Sequence, residues 1–320
     1  MLRLNNKRFI IVTVLLTILT LAISGCSKKE EGIVAKVNGE RITDEEFDTD
    51  FQVFKKLYER QFGEEALSQV GEDGKTLGET LKENIVEKLI VEKLVGKEAV
   101  NMNIKITDEE LKETLDEYIN GMGGKEKFDE FLKNNELTEE FFKDNLRKEL
   151  LIEKHKETFL NETTISDKEG KDYFEKNKDH LVVVKASHIL VKTEEEGKKI
   201  LDRLKAGEDF ASIAAKESID SASAVQGGDL GYFTKGSMIK EFGDVAFSLK
   251  KGETSDLVKT EVGYHIIYLE DKKDTYEELK DDVISIMKEE KYFNKIQELR
   301  DKADVKIYLD TKDTKDTKKK

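Results

Sequence analysis

Apolar positions change their spacing along this chain, and each change marks an element. Ile33–Ile42 (IVAKVNGERI) alternates around an Asn38-Gly39 pair, predicting a strand, a tight turn and a second short strand. Thr43-Asp44-Glu45-Glu46 has the form of a capping box, a hydroxyl ahead of a helix and a carboxylate three residues on. Phe47, Phe51, Phe54, Tyr58 and Phe62 then follow at helical spacing. A second helix is predicted from Leu77 to Ala99, with Leu81, Ile85, Leu89 and Leu94 near one face. Thr107–Glu110 repeats the capping pattern before Leu111, Leu115 and Tyr118, and Gly121–Gly124 (GMGG) breaks that helix. Further helices are predicted near Lys125–Asn134 and Thr138–Leu160. Ser166 and Glu169 form a capping box for another over Ser166–Asn177.

The period then shortens. Leu181–Asp271 reads as a strand, helices over Glu194–Ala206 and Asp209–Glu217, a glycine-rich loop Gln226–Phe233 (QGGDLGYF), a helix over Ile239–Leu249 and two strands. Thr275–Ala303 follows as one long helix with Tyr276, Leu279, Val283, Ile286 and Ile296 as its apolar seam, and Val305–Leu309 as a last strand. A lone helix and strand cannot bury their apolar faces unaided. They are expected to pack back on the N-terminal helices, so the middle module is an insert in a discontinuous, mostly helical lobe. The fold class is α+β.

Composition sharpens this picture. At 320 residues the chain is long enough for two domains. Charged residues make up 39% and hydrophobic ones 37%, which predicts small cores and long surface helices. The formal net charge is −14; removing the first 25 residues takes away Arg3, Lys7 and Arg8 but no acid, leaving −17. Such a surface argues against nucleic acid as a partner and suits basic or unfolded chains. Proline is absent, where an average usage of about 5% would give roughly 16. Two readings stay open, a compositional bias and the advantage to a chain of having no slow X-Pro steps in its own folding.

The N-terminus carries an address. Arg3, Lys7 and Arg8 precede the 15-residue apolar stretch Phe9–Ile23, interrupted only by Thr13, Thr17 and Thr20. At about 1.5 Å per residue it reaches roughly 22 Å, short of a hydrocarbon core of about 30 Å. Residues 1–25 therefore read as a secretory signal. Ile23-Ser24-Gly25-Cys26 resembles a bacterial lipobox, and Cys26 is the only cysteine, so no internal disulfide forms. A diacylated Cys26 would hold the protein on the extracytoplasmic face of the cell membrane.

Chemistry concentrates in the middle module. His188, in Lys185–Lys192 (KASHILVK), and His265, in Gly263–Leu269 (GYHIIYL), are two of four histidines, each inside a run of β-formers. A lone histidine in a strand is ordinarily a satisfied core residue; two of them with an intervening glycine-rich loop call for more. Gly-rich QGGDLG lacks the GxxxxGK[ST] pattern of a phosphate loop, and His155 and His180 show no metal-ligand spacing.

The ordered markers resemble a parvulin-type peptidyl-prolyl isomerase domain. They are Ala186–Leu190 (ASHIL), Asp220, Gly227–Phe233 (GGDLGYF), Gly236, Met238, Phe242, Ala246–Leu249 (AFSL), Gly252-Glu253, Thr260 and Gly263–Ile267. Together with the flanks and N-terminus, where IVAKVNGERITDEEF is similar to the start of a SurA-like lobe, they point to the PrsA-type foldase lipoproteins. The resemblance implies an inserted βα3βαβ2 domain over 181–272, interrupting a chaperone lobe made of 33–180 and 273–309. Residues 1–25 would be the signal peptide, 26–32 the lipidated tether and 310–320 a disordered tail. It further implies that Leu230, Met238 and Phe242 hold the proline ring, while His188, Asp220, Thr260 and His265 form a polar network beneath the substrate amide. The histidines would act either directly or as a buried pair that sets loop geometry. Met238 and Phe242 also read as ordinary core residues, and Asp220 as a turn residue.

The family's reaction forms no covalent bond and needs no metal or cofactor. The implied activity is cis-trans isomerisation of X-Pro bonds in unfolded or partly folded exported proteins. The alternative is an ATP-independent holdase with an inactive parvulin module, and a homodimer stays open. Ile239-Lys240-Glu241 and Asp256-Leu257 fall where relatives often carry proline, and neither change removes a pocket group. Acidic Glu194-Glu195-Glu196 stands where phosphate-reading parvulins are basic, which argues for prolines preceded by unmodified residues.

Overall fold

The computed structural model describes residues 30–309 and divides the chain into two compact units, Met1–Thr163 with Glu290–Lys320, and Thr164–Glu289. The signal segment, Cys26 and the C-terminal tail expected over 310–320 lie outside the described residues. Among the described residues no helix is long and apolar enough to cross a membrane.

The first unit begins with β1 (Ile33–Val37) and β2 (Glu40–Thr43), joined where Asn38 and Gly39 both take positive φ (52° and 87°). Positive φ at both central residues is what a two-residue hairpin turn needs, and an Asn-Gly pair tolerates it. Helices α1 (Asp44–Phe62), α2 (Leu77–Asn101), α3 (Asp108–Gly121), α4 (Lys125–Asn134) and α5 (Glu139–Glu162) follow. Complete capping boxes start α1 at Thr43, α2 at Thr76 and α3 at Thr107. Ile42, Phe47, Ile85, Leu89 and Ile90 lie at the centre of the core between the hairpin, α1 and α2. The aromatic stripe of α1 runs out of this core at its end, where Phe62 is 58% exposed.

Within the second unit, α6 (Asp167–Leu181) leads into β3 (Val183–Val191), α7 (Glu194–Lys205), α8 (Phe210–Glu217) and the short α9 (Ser221–Ala224). Then come β4 (Asp229–Thr234), α10 (Lys240–Ser248), β5 (Val258–Thr260) and β6 (Gly263–Lys273). Five of the eight residues expected as a glycine-rich loop, Asp229 to Phe233, are thus in strand β4. The sheet has the order β4-β3-β6-β5 with every neighbour antiparallel. Side-chain alternation gives it two cores. Val184, Ala186, Ile267 and Leu269 face α10 with Phe242 and Ala246, while Ile189, Val191 and Ile266 face α7 and α8 with Ile200 and Ile213.

Helix α11 (Tyr276–Lys302) and strand β7 (Val305–Ile307) complete the chain. Up to Glu289 the helix belongs to the second unit, where Tyr276, Leu279, Val283 and Met287 pack with Phe174 of α6. That unit is therefore wider than 181–272 by α6 and the first turns of α11. From Glu290 the helix belongs to the first unit, where Tyr292 and Ile296 pack on Val95 of α2. Strand β7 then pairs antiparallel with β1, Ala35 opposite Ile307, giving a sheet of order β2-β1-β7. One seam residue departs from expectation: Ile286 is 38% exposed, and Met287 takes the buried position.

Candidate active site

Strands β3 and β6 carry the two histidines on one face. His188 sits opposite Ile267 and His265 opposite Leu190, so the imidazoles occupy diagonal positions two residues apart. Both belong to the alternation that includes Val184, Ala186, Ile267 and Leu269, which turns them toward α10. Both are buried, at 6% and 4% exposure. The rings lie nearly parallel, centroids 5.4 Å apart, with Nδ1 of one 3.1 Å from Nδ1 of the other. One ring's N–H must therefore donate to the other's lone pair.

The outer nitrogens settle the direction. His188 Nε2 lies 2.8 Å from Oδ2 of Asp220, an oxygen that only accepts when the carboxyl is ionised. With both rings neutral, His188 carries its hydrogen on Nε2 and accepts at Nδ1 from His265. His265 Nε2 is left as acceptor for the Thr260 hydroxyl at 2.9 Å, and Val262 N–H donates to that hydroxyl's oxygen at 3.3 Å. The result is one directed run of hydrogen bonds from Thr260 through both imidazoles to Asp220.

Electrostatics agree with this charge state at His265 and Asp220. Burial pushes the His265 imidazole down to about 4, and the neighbouring His188 pushes the same way. Hydrogen bonds from Ser223 and then His188 hold the Asp220 carboxyl below its ordinary range. At neutral pH the site is a neutral His265 ring at one end and a carboxylate at the other.

An apolar wall closes one side. Phe242 meets His188 and His265 edge-to-face, with centroids 5.7 and 5.3 Å away. Met238 and Leu230, both half-buried, pack against the cluster that holds Phe242 and Phe233. The glycine turn is forced by close approach: at Gly228 (φ 87°) a Cβ would sit 2.3 Å from the His188 carbonyl oxygen. Gly228 accepts the His188 N–H at 2.9 Å, so the turn and the histidine strand are tied together.

Of the seven residues that the sequence nominates in this module, the four polar ones form a single network, Phe242 touches both of its rings, and Leu230 and Met238 pack against the cluster to which Phe242 belongs. Sequence reading missed Ser223. It is 6% exposed, donates to Asp220 Oδ2 at 2.5 Å and lies 3.1 Å from His188 Nε2. Among the described residues no group of three or more His, Cys, Asp or Glu could hold a metal ion.

A four-stranded antiparallel sheet with this helix order and paired inward histidines defines a parvulin-type peptidyl-prolyl isomerase, and residues 173–273 match the family of the PPIC-type PPIASE domain. Residues 1–156 match the SurA-like N-terminal domain. The foldase protein PrsA of Caldanaerobacter subterraneus subsp. tengcongensis is 36% identical over 82% of this chain and 82% of its own. That of Clostridium botulinum is 33% identical over 88% and 89%. The crystal structure of PrsA from Bacillus anthracis aligns with 32% identity and a TM-score of 0.34, covering 68% of this chain and 96% of that one. The chain belongs to the PrsA foldase family and is a peptidyl-prolyl cis-trans isomerase.

Proposed function

We propose that the proline ring of an X-Pro segment docks against Met238, Phe242 and Leu230, with its imide above the run of hydrogen bonds formed by Thr260, His265, His188 and Asp220. The observation that carries this is the meeting of a continuous polar network with an apolar wall at one place, each ring of the network touching Phe242. Rotation about the imide has a barrier of about 18–20 kcal/mol and makes no new bond. Twisting removes amide resonance, so the nitrogen becomes pyramidal and basic and the carbonyl loses its mixing with it. A site lowers the barrier by fitting that twisted form better than the planar one. A 10⁴-fold gain needs roughly 5.4 kcal/mol of such preference. Fixed dipoles beside a dry apolar wall act in a low dielectric, where each is worth more than in water.

The first unit would hold the unfolded client. Its α1 carries an apolar hollow lined by Phe54, Leu57, Tyr58, Arg60, Gln61 and Phe62, and Phe62 is 58% exposed. Side chains of this kind suit apolar segments of a chain that has not yet folded. The work would be done outside the cytoplasm on exported proteins, with Cys26 acylated and inserted in the membrane. The residues 33–163 and 290–309 would act as the holding lobe and 181–272 as the catalytic module.

Protease-coupled or NMR exchange measurement on an unmodified X-Pro peptide tests the catalytic part. Wild type should accelerate isomerisation, and Met238→Ala should remove most of the gain. Equal rates for the two proteins would show that proline docks elsewhere. For the anchor, Cys26→Ala should move the protein from the membrane pellet to the supernatant; continued pelleting would show another attachment.

A further inference from the structure

We propose that Ser223 is a positioning residue of the isomerase site, its hydroxyl and its carbonyl together fixing the ring tautomer and the backbone of His188. The inference rests on the reading of the site given above.

Ser223 lies in α9, the four-residue helix that Asp220 caps by accepting the N–H of Ala222 at 3.3 Å. Its hydroxyl donates to Asp220 Oδ2 at 2.5 Å. Having given its hydrogen to the carboxylate, Oγ presents only lone pairs to His188 Nε2, 3.1 Å away. Nε2 thus faces two acceptors, the carboxylate at 2.8 Å and the hydroxyl at 3.1 Å. A bare nitrogen there would set three lone-pair centres against one another in a buried place. The pair of oxygens demands a hydrogen on Nε2, which leaves Nδ1 as the acceptor for His265.

The main chain of the same residue works on the other end. The Ser223 carbonyl accepts the N–H groups of Gln226 and Gly228, both at 2.9 Å. Gly228 in turn accepts the backbone N–H of His188 at 2.9 Å. One residue therefore grips His188 twice, at its ring and, through the glycine turn, at its backbone. Asp220 alone is a poorer clamp. Its side chain is 28% exposed, so without the Ser223 hydroxyl a carboxylate oxygen can swing toward water. The titratable groups facing this point are His265 from β6 and Asp220 from the start of α9, with Phe242 of α10 as the apolar neighbour.

Ser223→Ala removes the hydroxyl and leaves the carbonyl contacts. Loss of one such hydrogen bond should lower kcat for an X-Pro peptide roughly threefold to tenfold with KM unchanged. The acid limb of the pH profile should move upward, because Asp220 loses a donor that favours its ionised form. Ser223→Thr, which keeps the hydroxyl, should recover most of the loss. Nitrogen-15 spectra of the histidine rings give a readout independent of turnover. Wild type should show His188 as the Nε2–H tautomer, and Ser223→Ala a mixture.

Unchanged rates, pH profile and ring spectra in Ser223→Ala would overturn the proposal. So would an Nδ1–H tautomer at His188 in wild type, which also decides the matter should the alanine variant not fold. A wild-type protein without isomerase activity would instead overturn the reading of the site, and the ring spectra would still judge Ser223.

Discussion

Phe242 is a wall of the site and, at 4% exposure, also a core residue. Replacing it with alanine should therefore cost about 3–5 kcal/mol of stability as well as turnover. Met238 is only half-buried, and Met238→Ala should lower kcat/KM by about tenfold while shifting the melting temperature little. A large loss of stability in Met238→Ala with normal turnover per folded molecule would contradict the assignment. Gly228→Ala should disable the module, since its Cβ has no room beside the His188 carbonyl; a well-folded, active alanine variant would show that the turn can move. Period-two alternation made His188 and His265 legible in the sequence, because in a strand the residue number decides the face, whereas Thr260 came only with the family resemblance. Ser223 was not legible. It stands in a polar run, Asp220-Ser221-Ala222-Ser223, where no periodicity says which hydroxyl turns inward, and only a capping carboxylate three residues back selects it.

Local signals decided most elements. Thr43, Thr107 and Ser166 each accept the backbone N–H of a glutamate three residues on, as the hydroxyl-carboxylate spacing predicts, and Thr76 and Thr193 do the same. Removing one such cap by Thr76→Ala should lower stability by about 1 kcal/mol, seen as a shifted denaturant midpoint with unchanged slope. An unaltered midpoint would mean that tertiary packing alone holds the start of α2. Helix α11 shows why a single stripe was the wrong expectation. At about 100° per residue, Tyr276, Leu279, Val283 and Met287 share one side, whereas Tyr292 and Ile296 fall about 180° round the helix. Ile286 lies between those stripes and stays in solvent, although its spacing from Val283 looked like a continuing seam. Sequence periodicity reports one face well; it cannot announce that the face changes midway.

Each unit hides a histidine whose neutral form is favoured by burial. His265 is pushed down to about 4 in the second unit. In the first, His155 is fully buried between α5 and α11 with Nδ1 3.1 Å from the Tyr292 hydroxyl, and burial pushes it down against the opposing pull of Glu98. Unfolded, both rings would take up protons near 6.5, so the unfolded chain binds more protons as pH falls. Stability from these groups is complete above about 6.5 and declines as pH drops toward 4. Thermal unfolding at pH 7 and pH 5 should show the lower temperature at pH 5, and His155→Phe should flatten that dependence; an equal fall in the variant would place the effect elsewhere. The discontinuous lobe has a sharper test. Truncation after Ala303 removes β7 and leaves one edge of β1 unpaired, and should make residues 33–163 protease-sensitive, while continued resistance would show that the hairpin and helices suffice. Composition foretold two domains, and the need to bury a lone helix and strand foretold the return of the chain. The exact partition did not follow, because α6 carries the same amphipathic pattern whichever neighbour it finds. The β1–β7 pairing has a temporal corollary. A polypeptide crossing a membrane amino end first delivers β1 some 270 residues ahead of its partner, so this helper of other proteins' maturation must itself wait, open along one seam, until its own final turns have emerged.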